Sequence, residues 1–149
     1  MNTIKVKKYL DILEERTATA VAITPGMLLE LTSAGTVQAH SAAGGNVLPM
    51  VALEDELQGN DIDDNYAVSA QIQIWIPMRG AEFYGILLAG EDVSVGDFLE
   101  SDGTGKLKKY VADSADSDDE FVSYPNQIVG IAMEASDTSL DVNLIVKLM

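Results

Sequence analysis

Short apolar runs separated by turn residues make up most of the chain after residue 16. Gly, Pro, Asn, Asp and Ser bound these runs, which is typical of β-strands joined by tight turns. The clearest alternation covers residues 67–78. Its apolar face would carry Val68, Ala70, Ile72, Ile74 and Ile76, and its other face Ser69, Gln71, Gln73 and Trp75. Pro77 then ends this strand or places it at a sheet edge.

The same texture predicts strands along the rest of the chain. They cover residues 19–23, 27–32, 37–40, 50–53, 85–89, 98–100, 107–111, 128–133 and 141–148. A length of 149 residues is enough for one domain with a hydrophobic core. We therefore predict an all-β fold in one main domain.

An internal repeat is the most informative feature of the sequence. Residues 23–40 read ITPGMLLELTSAGTVQAH and residues 93–110 read VSVGDFLESDGTGKLKKY, and the two segments align without a gap. The similarity resumes downstream, where residues 51–54 parallel residues 131–134. The second copy is longer, and its extra residues include an acidic run. The pattern indicates duplication of one structural unit.

Each copy reads as a β-hairpin that follows a tight turn. The first glycine of each copy, Gly26 or Gly96, permits a turn or bulge into a strand. Ser, Asp and Gly residues around the second glycine favour a hairpin turn. Two such units, at about residues 19–54 and 89–134, predict a small barrel or sandwich in which the units pair about a pseudo-two-fold axis.

The first sixteen residues are more basic than the rest. Four of the nine basic residues lie there: Lys5, Lys7, Lys8 and Arg16. An arm that reaches onto a neighbouring molecule and a frayed terminus are both compatible with this pattern. We therefore divide the chain into an N-terminal arm, residues 1–16, and a β-domain, residues 17–149.

Charge and composition exclude several classes of protein. Twenty-four acidic against nine basic residues give a net charge of −15, which repels phosphate backbones and argues against a nucleic-acid partner. The acidity fits either solubility at high local concentration or a basic partner surface. The absence of cysteine excludes disulfides, thiolate metal sites and cysteine nucleophiles. No run approaches the roughly 20 apolar residues of a membrane-spanning helix, and no secretory signal is apparent.

No catalytic or cofactor-binding constellation emerges from the sequence. His40, the one histidine, is expected to be structural, and no serine or Gly-rich loop matches a nucleophile or phosphate motif. Asp61, Asp63 and Asn65 match the start of a calcium loop, but Tyr66 replaces the required glycine. The acidic run over residues 113–120 is expected to be a hydrated loop. A biotinyl or lipoyl carrier is excluded because no lysine has the required neighbours. We expect no enzyme activity, metal or cofactor.

Two residues in and after the longest strand suggest a contact surface. If its isoleucines face the core, Trp75 points toward solvent or a partner, and Arg79 follows shortly after. Aromatic and arginine side chains are common interface anchors. The alternative is that both faces of the strand are covered within one domain. Together with the basic arm, the candidate interface residues are Lys5, Lys7, Lys8, Tyr9, Arg16, Trp75 and Arg79.

The chain resembles the head decoration, or capsid cement, proteins of tailed bacteriophages. The resemblance lies in residues 85–90 (GILLAG), 93–107 (VSVGDFLESDGTGKL) and 128–133 (IVGIAM), with residues 23–26 and 49–54 fitting the same pattern. It covers roughly residues 19–149, and its motifs are structural turns.

The resemblance implies a β-barrel or β-tulip-like domain, commonly a homotrimer, that binds the outer surface of the expanded capsid. Its partner would be the major capsid protein, whose subunit contacts it stabilises, with assembly in the host cytoplasm. No binding residue can be carried over individually. Two alternatives stay open: a small ligand-binding or enzyme domain of the β-clip type, and a β-rich phage tail component.

Overall fold

The computed structural model describes residues 3–7, 12–19, 22–112 and 126–149. The described residues form thirteen β-strands, one 3-10 turn and no α-helix, which confirms the all-β prediction. The strands are β1 (Lys5–Lys7), β2 (Leu13–Thr17), β3 (Leu29–Leu31), β4 (Val37–Ala39), β5 (Val51–Ala52), β6 (Gln71–Trp75), β7 (Glu82–Leu87), β8 (Asp92–Val93), β9 (Phe98–Ser101), β10 (Leu107–Lys109), β11 (Ile128–Ala132), β12 (Ser136–Asp137) and β13 (Val142–Leu148). The 3-10 turn spans Glu56–Gln58.

Five of these strands close into a ring, which we call the second barrel. Its order is β7-β10-β9-β11-β13, and β13 pairs again with β7. All of its pairings are antiparallel except that of β10 with β7. A closed barrel leaves no free edges in its ring, and its alternate side chains fill the interior.

The N-terminal half forms an equivalent ring, the first barrel. Here β2, β6 and β5 form one sheet, and β3 and β4 form a hairpin. Bridges from Leu28 to Val51 and from Ala18 to Val37 join the hairpin to both sides of the sheet. The ring β2-β4-β3-β5-β6 therefore has the same order as the ring β7-β10-β9-β11-β13 of the second barrel.

The two barrels match in register as well as in order. In the first hairpin Leu31 lies opposite Val37, and in the second Ser101 lies opposite Leu107, the positions that the sequence repeat aligns. The parallel bridge that closes the first barrel has its counterpart in the parallel pairing of β10 with β7. The predicted duplication is thus confirmed. In the structure it extends beyond the aligned segments, because β2 corresponds to β7 and β6 corresponds to β13.

The turn before each hairpin carries the glycine that the repeat singled out. Gly26 and Gly96 have φ angles of 91° and 92°. Their amides donate 2.8 Å hydrogen bonds to the carbonyls of Ala52 and Ala132, respectively. A positive φ is costly for any residue with a Cβ, so glycine at this place keeps the hairpin attached to β5 or β11.

The hydrophobic core has two parts. One cluster fills the first barrel with residues that include Ile23, Leu29, Val37, Ile72 and Ile74. The other fills the second barrel and continues into the space between the barrels. At the junction lie Leu28, Val51 and Trp75, from the outer face of the first barrel, each 0% exposed.

Of the two alternatives left open for Trp75, the structure shows the second, in which this face of the strand is covered within the molecule. Trp75 does point away from Ile72 and Ile74, as alternation required, but the second barrel covers that face. The strand itself is also shorter than residues 67–78, because Ser69 adopts a left-handed conformation, with φ 62°, and interrupts the extended chain. Both faces of β6 are therefore covered within the molecule at its Trp75 end, whereas Gln71 at its other end is exposed.

The described part of residues 1–16 belongs to the barrels and does not extend away from them. β1 pairs antiparallel with β7, and β2 pairs along its full length with β6. Ile4 is completely buried. Neither strand was predicted, nor were β8 and β12. Of the strand predicted over residues 19–23, the described residues contribute one bridge, from Ile23 to Tyr66.

Candidate interaction surface

The interface residues predicted from the sequence are spread over the molecule. Lys5 and Lys7 lie in β1, against the second barrel. Arg16 is held on the first barrel, with its Nε 3.0 Å from Glu14 Oε2 and its Nη1 3.4 Å from the Gly35 carbonyl oxygen. Arg79 is exposed in the turn between β6 and β7. Trp75 is buried, and Lys8 and Tyr9 lie outside the described residues.

A groove lies where β1, β2 and the 3-10 turn meet. Its volume is about 490 Å³, and its apolar lining includes Val6, Leu13 and Leu57. These side chains are 40%, 50% and 95% exposed, respectively. The same groove is lined by the consecutive carboxylates of residues 54–56 and by the cation of Lys5. It offers apolar contact beside negative charge, which suits a segment with both apolar and basic side chains.

Two of the groove carboxylates are buried, and both have hydrogen-bond partners. Glu54 Oε2 accepts a 3.0 Å bond from the amide of Ile4, and Asp55 Oδ2 accepts a 2.7 Å bond from the Gln58 side chain. Burial raises the pKa of nearby Tyr66 to about 12, and the negative charges of Asp55, Glu54 and Glu15 act in the same direction.

Lysines of the second barrel are engaged with carboxylates. Lys106 Nζ lies 2.8 Å from Asp141 Oδ2, and Lys109 Nζ lies 2.7 Å from Asp97 Oδ2. The hydrogen bond from Lys109 holds the pKa of Asp97 below its usual value, and the bond from Lys106 does the same for Asp141. These ion pairs neutralise the lysines, and the remaining carboxylates give the outer surface its negative charge.

The second barrel exposes the face that the first barrel buries. Its counterparts of Leu28, Val51 and Leu53 are Phe98, Ile131 and Met133, which we call the Phe98 face. Phe98 is 42% exposed and Ile131 and Met133 are half-buried, whereas Leu28, Val51 and Leu53 are all buried. An apolar face that is covered in one barrel and open in its twin is a candidate for contact with another molecule.

His40 has the partners of a structural histidine. Its Nδ1 lies 2.8 Å from Ser101 Oγ, and its Nε2 lies 3.0 Å from the Asn46 carbonyl oxygen. Glu30 Oε2 is 3.8 Å from the same Nε2. The serine, histidine and glutamate resemble a nucleophile with its base, but Ser101 is 0% exposed. No substrate can reach its hydroxyl in this arrangement, which instead joins the residue that follows β4 to the end of β9, across the two barrels.

Within the described ranges, no three His, Asp or Glu side chains converge in a way that could hold a metal ion. Asp61 and Asp64 form a turn of their own, in which the Asp61 amide donates to Asp64 Oδ2 at 2.8 Å. The acidic run over residues 113–120 lies outside the described residues. None of the helical segments that the structure describes is long and apolar enough to cross a membrane.

The fold has a likeness among solved structures. The chain is similar to the N base of the head fiber protein gp8.5 of bacteriophage phi29, with a TM-score of 0.51 and 14% sequence identity. The match covers 93% of this chain and 98% of that one. At this identity the likeness establishes a shared fold over nearly the whole length. No family model matches the chain, and no curated protein sequence matches it.

Proposed function

We propose that this protein is a structural, non-enzymatic component of a phage virion. In this proposal it binds the outer surface of the expanded head and stabilises contacts between major capsid protein subunits. The observation that carries the proposal is the likeness to a head fiber base over 93% of this chain. The decoration-protein resemblance in residues 85–90, 93–107 and 128–133 points to the same location.

The physical character of the molecule suits such a role. Its two barrels have interiors filled with side chains, and its one serine–histidine pair is closed to solvent. The acidic surface would favour a basic region of the capsid. A single copy can bind the capsid weakly and the decorated shell still be stable, because the same contact is repeated at many positions of the lattice.

We further propose that the protein associates with itself as a homotrimer. The Phe98 face is the surface expected to meet a second copy, because its counterpart in the first barrel is already buried against a barrel. Light scattering of the purified protein tests this. A trimer that Phe98→Ser converts to monomer is expected, with Val95→Ser as an exposed apolar control. A wild-type protein that is only monomeric would contradict a preformed trimer.

Co-sedimentation with capsids tests the proposed function. Purified protein is mixed with expanded and with immature capsids of the phage that encodes it, and the pellets are compared. Binding to expanded capsids, together with greater resistance of those capsids to heat, is expected. Equal recovery without capsids, or binding with no gain in capsid stability, would contradict the capsid-stabilising role.

The likeness favours one other head-associated role, the base of a head fiber. The match covers 98% of a chain described as such a base. Electron microscopy of virions distinguishes the two. Projections at the positions labelled by an antibody to this protein would support a fiber base, and a smooth layer of density at those positions would support decoration.

A further inference from the structure

The hydrogen-bonding groups of β2 alternate between two directions. The amide of Ile76 donates to the Ile12 carbonyl at 2.9 Å, and the amide of Ala18 donates to the Ala70 carbonyl at 2.8 Å. In an antiparallel ladder every second residue bonds to the same neighbour. The backbone amides and carbonyls of Glu14 and Arg16 therefore point toward β6, and those of Leu13 and Glu15 point away from it.

The equivalent edge of β7 is occupied. The amide of Leu148 donates to the Ala81 carbonyl at 2.9 Å, so Ala81 corresponds to Ile12 and Tyr84 corresponds to Glu15. The outward amide of Tyr84 donates to the carbonyl of Ile4 at 2.9 Å. The second barrel thus carries an added strand, β1, on the edge of β7 that corresponds to the outer edge of β2.

The edge of β2 carries no such strand in the part of the chain that the structure describes. Its pairing partner is β6 on one side, and on the other side contact begins only at Ala18, which bridges to Val37. Within the described residues, the outward amide of Glu15 has no hydrogen-bond acceptor. An edge with unpaired amides and carbonyls is a template for another extended segment.

The surroundings of this edge define the chemistry of its occupant. Leu13 belongs to both the edge and the groove. Glu15 is exposed, and its Oε1 accepts a 2.8 Å hydrogen bond from the side chain of Gln73, which lines the groove together with Glu54, Asp55 and Glu56. The strand that the molecule itself places on the twin edge alternates apolar and basic residues, Ile4-Lys5-Val6-Lys7. A partner strand with the same alternation would put apolar side chains near Leu13 and cations near the carboxylates.

We propose that the outer edge of β2 is a strand-addition site for an extended segment of a partner protein that carries lysine or arginine at alternate positions. That the partner is a capsid subunit rests on the function proposed above, whereas the site itself does not.

A peptide with the sequence of residues 3–8, blocked at both ends, is the probe. Hydrogen exchange of the whole protein is followed by NMR with and without it. In the free protein the amides of Glu14 and Arg16 are expected to be protected and that of Glu15 to exchange fast. Saturating peptide is expected to slow exchange at Glu15 by about tenfold or more while Glu14 stays unchanged. No change at Glu15 would overturn the proposal.

Two matched controls separate strand addition from charge attraction. The peptide amides form two alternate sets, and only one set can point toward β2. N-methylation of that set should abolish binding, and N-methylation of the other set should leave it intact. Equal binding by both sets contradicts strand addition. Glu15→Lys is expected to weaken peptide binding about tenfold at low salt, and Asp63→Lys, with the same change in net charge, to leave it within about twofold.

The same edge is then tested on capsids. Glu15→Pro removes the outward amide and leaves the bonds from Glu14 and Arg16 to β6 in place, as proline at a sheet edge allows. Loss of capsid binding with an intact fold supports the capsid subunit as partner. Retained capsid binding together with peptide binding at β2 refutes that partner and keeps the site. Protection of Glu15 that rises with protein concentration alone would identify a second copy as the occupant and overturn the proposal.

Discussion

Single residues in one barrel differ from their twins in the other mainly through what surrounds them. Gly26 and Gly96 share a positive φ and the same hydrogen bond. A Cβ on Gly26 would lie 2.9 Å from the carbonyl oxygen of Tyr84, in the second barrel, whereas a Cβ on Gly96 would have no neighbour within 4 Å. The glycines could be recognised in the sequence because the repeat aligned them. Their unequal surroundings could not, because these depend on how the barrels dock.

Alanine at the two glycines should therefore have unequal effects. Gly96→Ala is expected to lower the free energy of unfolding by about 1 kcal/mol, from backbone strain alone. Gly26→Ala adds a clash between the barrels and should cost about 1–3 kcal/mol more. Urea denaturation of both variants measures the difference. Equal losses would contradict a clash between a side chain at position 26 and the carbonyl of Tyr84.

Among the elements, β1 and β6 differ most from expectation. Alternation placed Trp75 correctly relative to its isoleucines, but a sequence period cannot tell whether a second layer covers the other face. β1 escaped prediction because its partner β7 lies far along the chain, and a run of three residues carries no periodicity. The basic composition of residues 1–16 was visible, but the pairing of β2 with β6 was not. A deletion of residues 1–16 would thus remove a barrel strand as well as charge.

The attachment of β1 depends on Glu54, which offers a test with an internal control. Glu54→Ala leaves the buried amide of Ile4 without an acceptor, which typically costs about 1–3 kcal/mol. Faster hydrogen exchange at the Tyr84 amide, whose acceptor is Ile4, is the expected readout. The twin of Glu54 is Glu134, exposed and 3.3 Å from the Ile145 amide. Glu134→Ala should change stability by less than about 0.5 kcal/mol, and an equal effect of both variants would contradict this role of Glu54.

On the scale of the whole molecule, the sequence predicted an all-β barrel fold and its duplication but not the number of barrels. The aligned segments contain only three strands of each unit. The remaining strands, β2 and β6 or β7 and β13, have diverged so far that Arg16 stands where its twin is Gly85. Strand pairing is made by backbone hydrogen bonds, which do not depend on side-chain identity. These four strands could therefore change their side chains and keep their register. The docking of the barrels then follows from apolar residues such as Leu28, whose role no local pattern reveals.

The buried contact between the barrels should make them unfold together. Trp75 is the one tryptophan and lies in that contact, so its fluorescence reports on docking, whereas far-UV circular dichroism reports on all strands. The two transitions in urea are expected to coincide. Trp75→Ala should lower stability by about 3–5 kcal/mol, as other large buried truncations do. A fluorescence change that precedes the loss of strands would show that the barrels separate before they unfold.

The position of β1 also sets an order in time. The strands of the first barrel end at Trp75, so this barrel can close while the rest of the chain is still being synthesised. β1 precedes these strands in the chain, yet its partner β7 begins only at Glu82. Ile4 bonds through its amide to Glu54 of the first barrel and through its carbonyl to Tyr84 of the second. The strand that leaves the ribosome before both barrels thus pairs only after the first of them can close, and it then fastens the two barrels to each other.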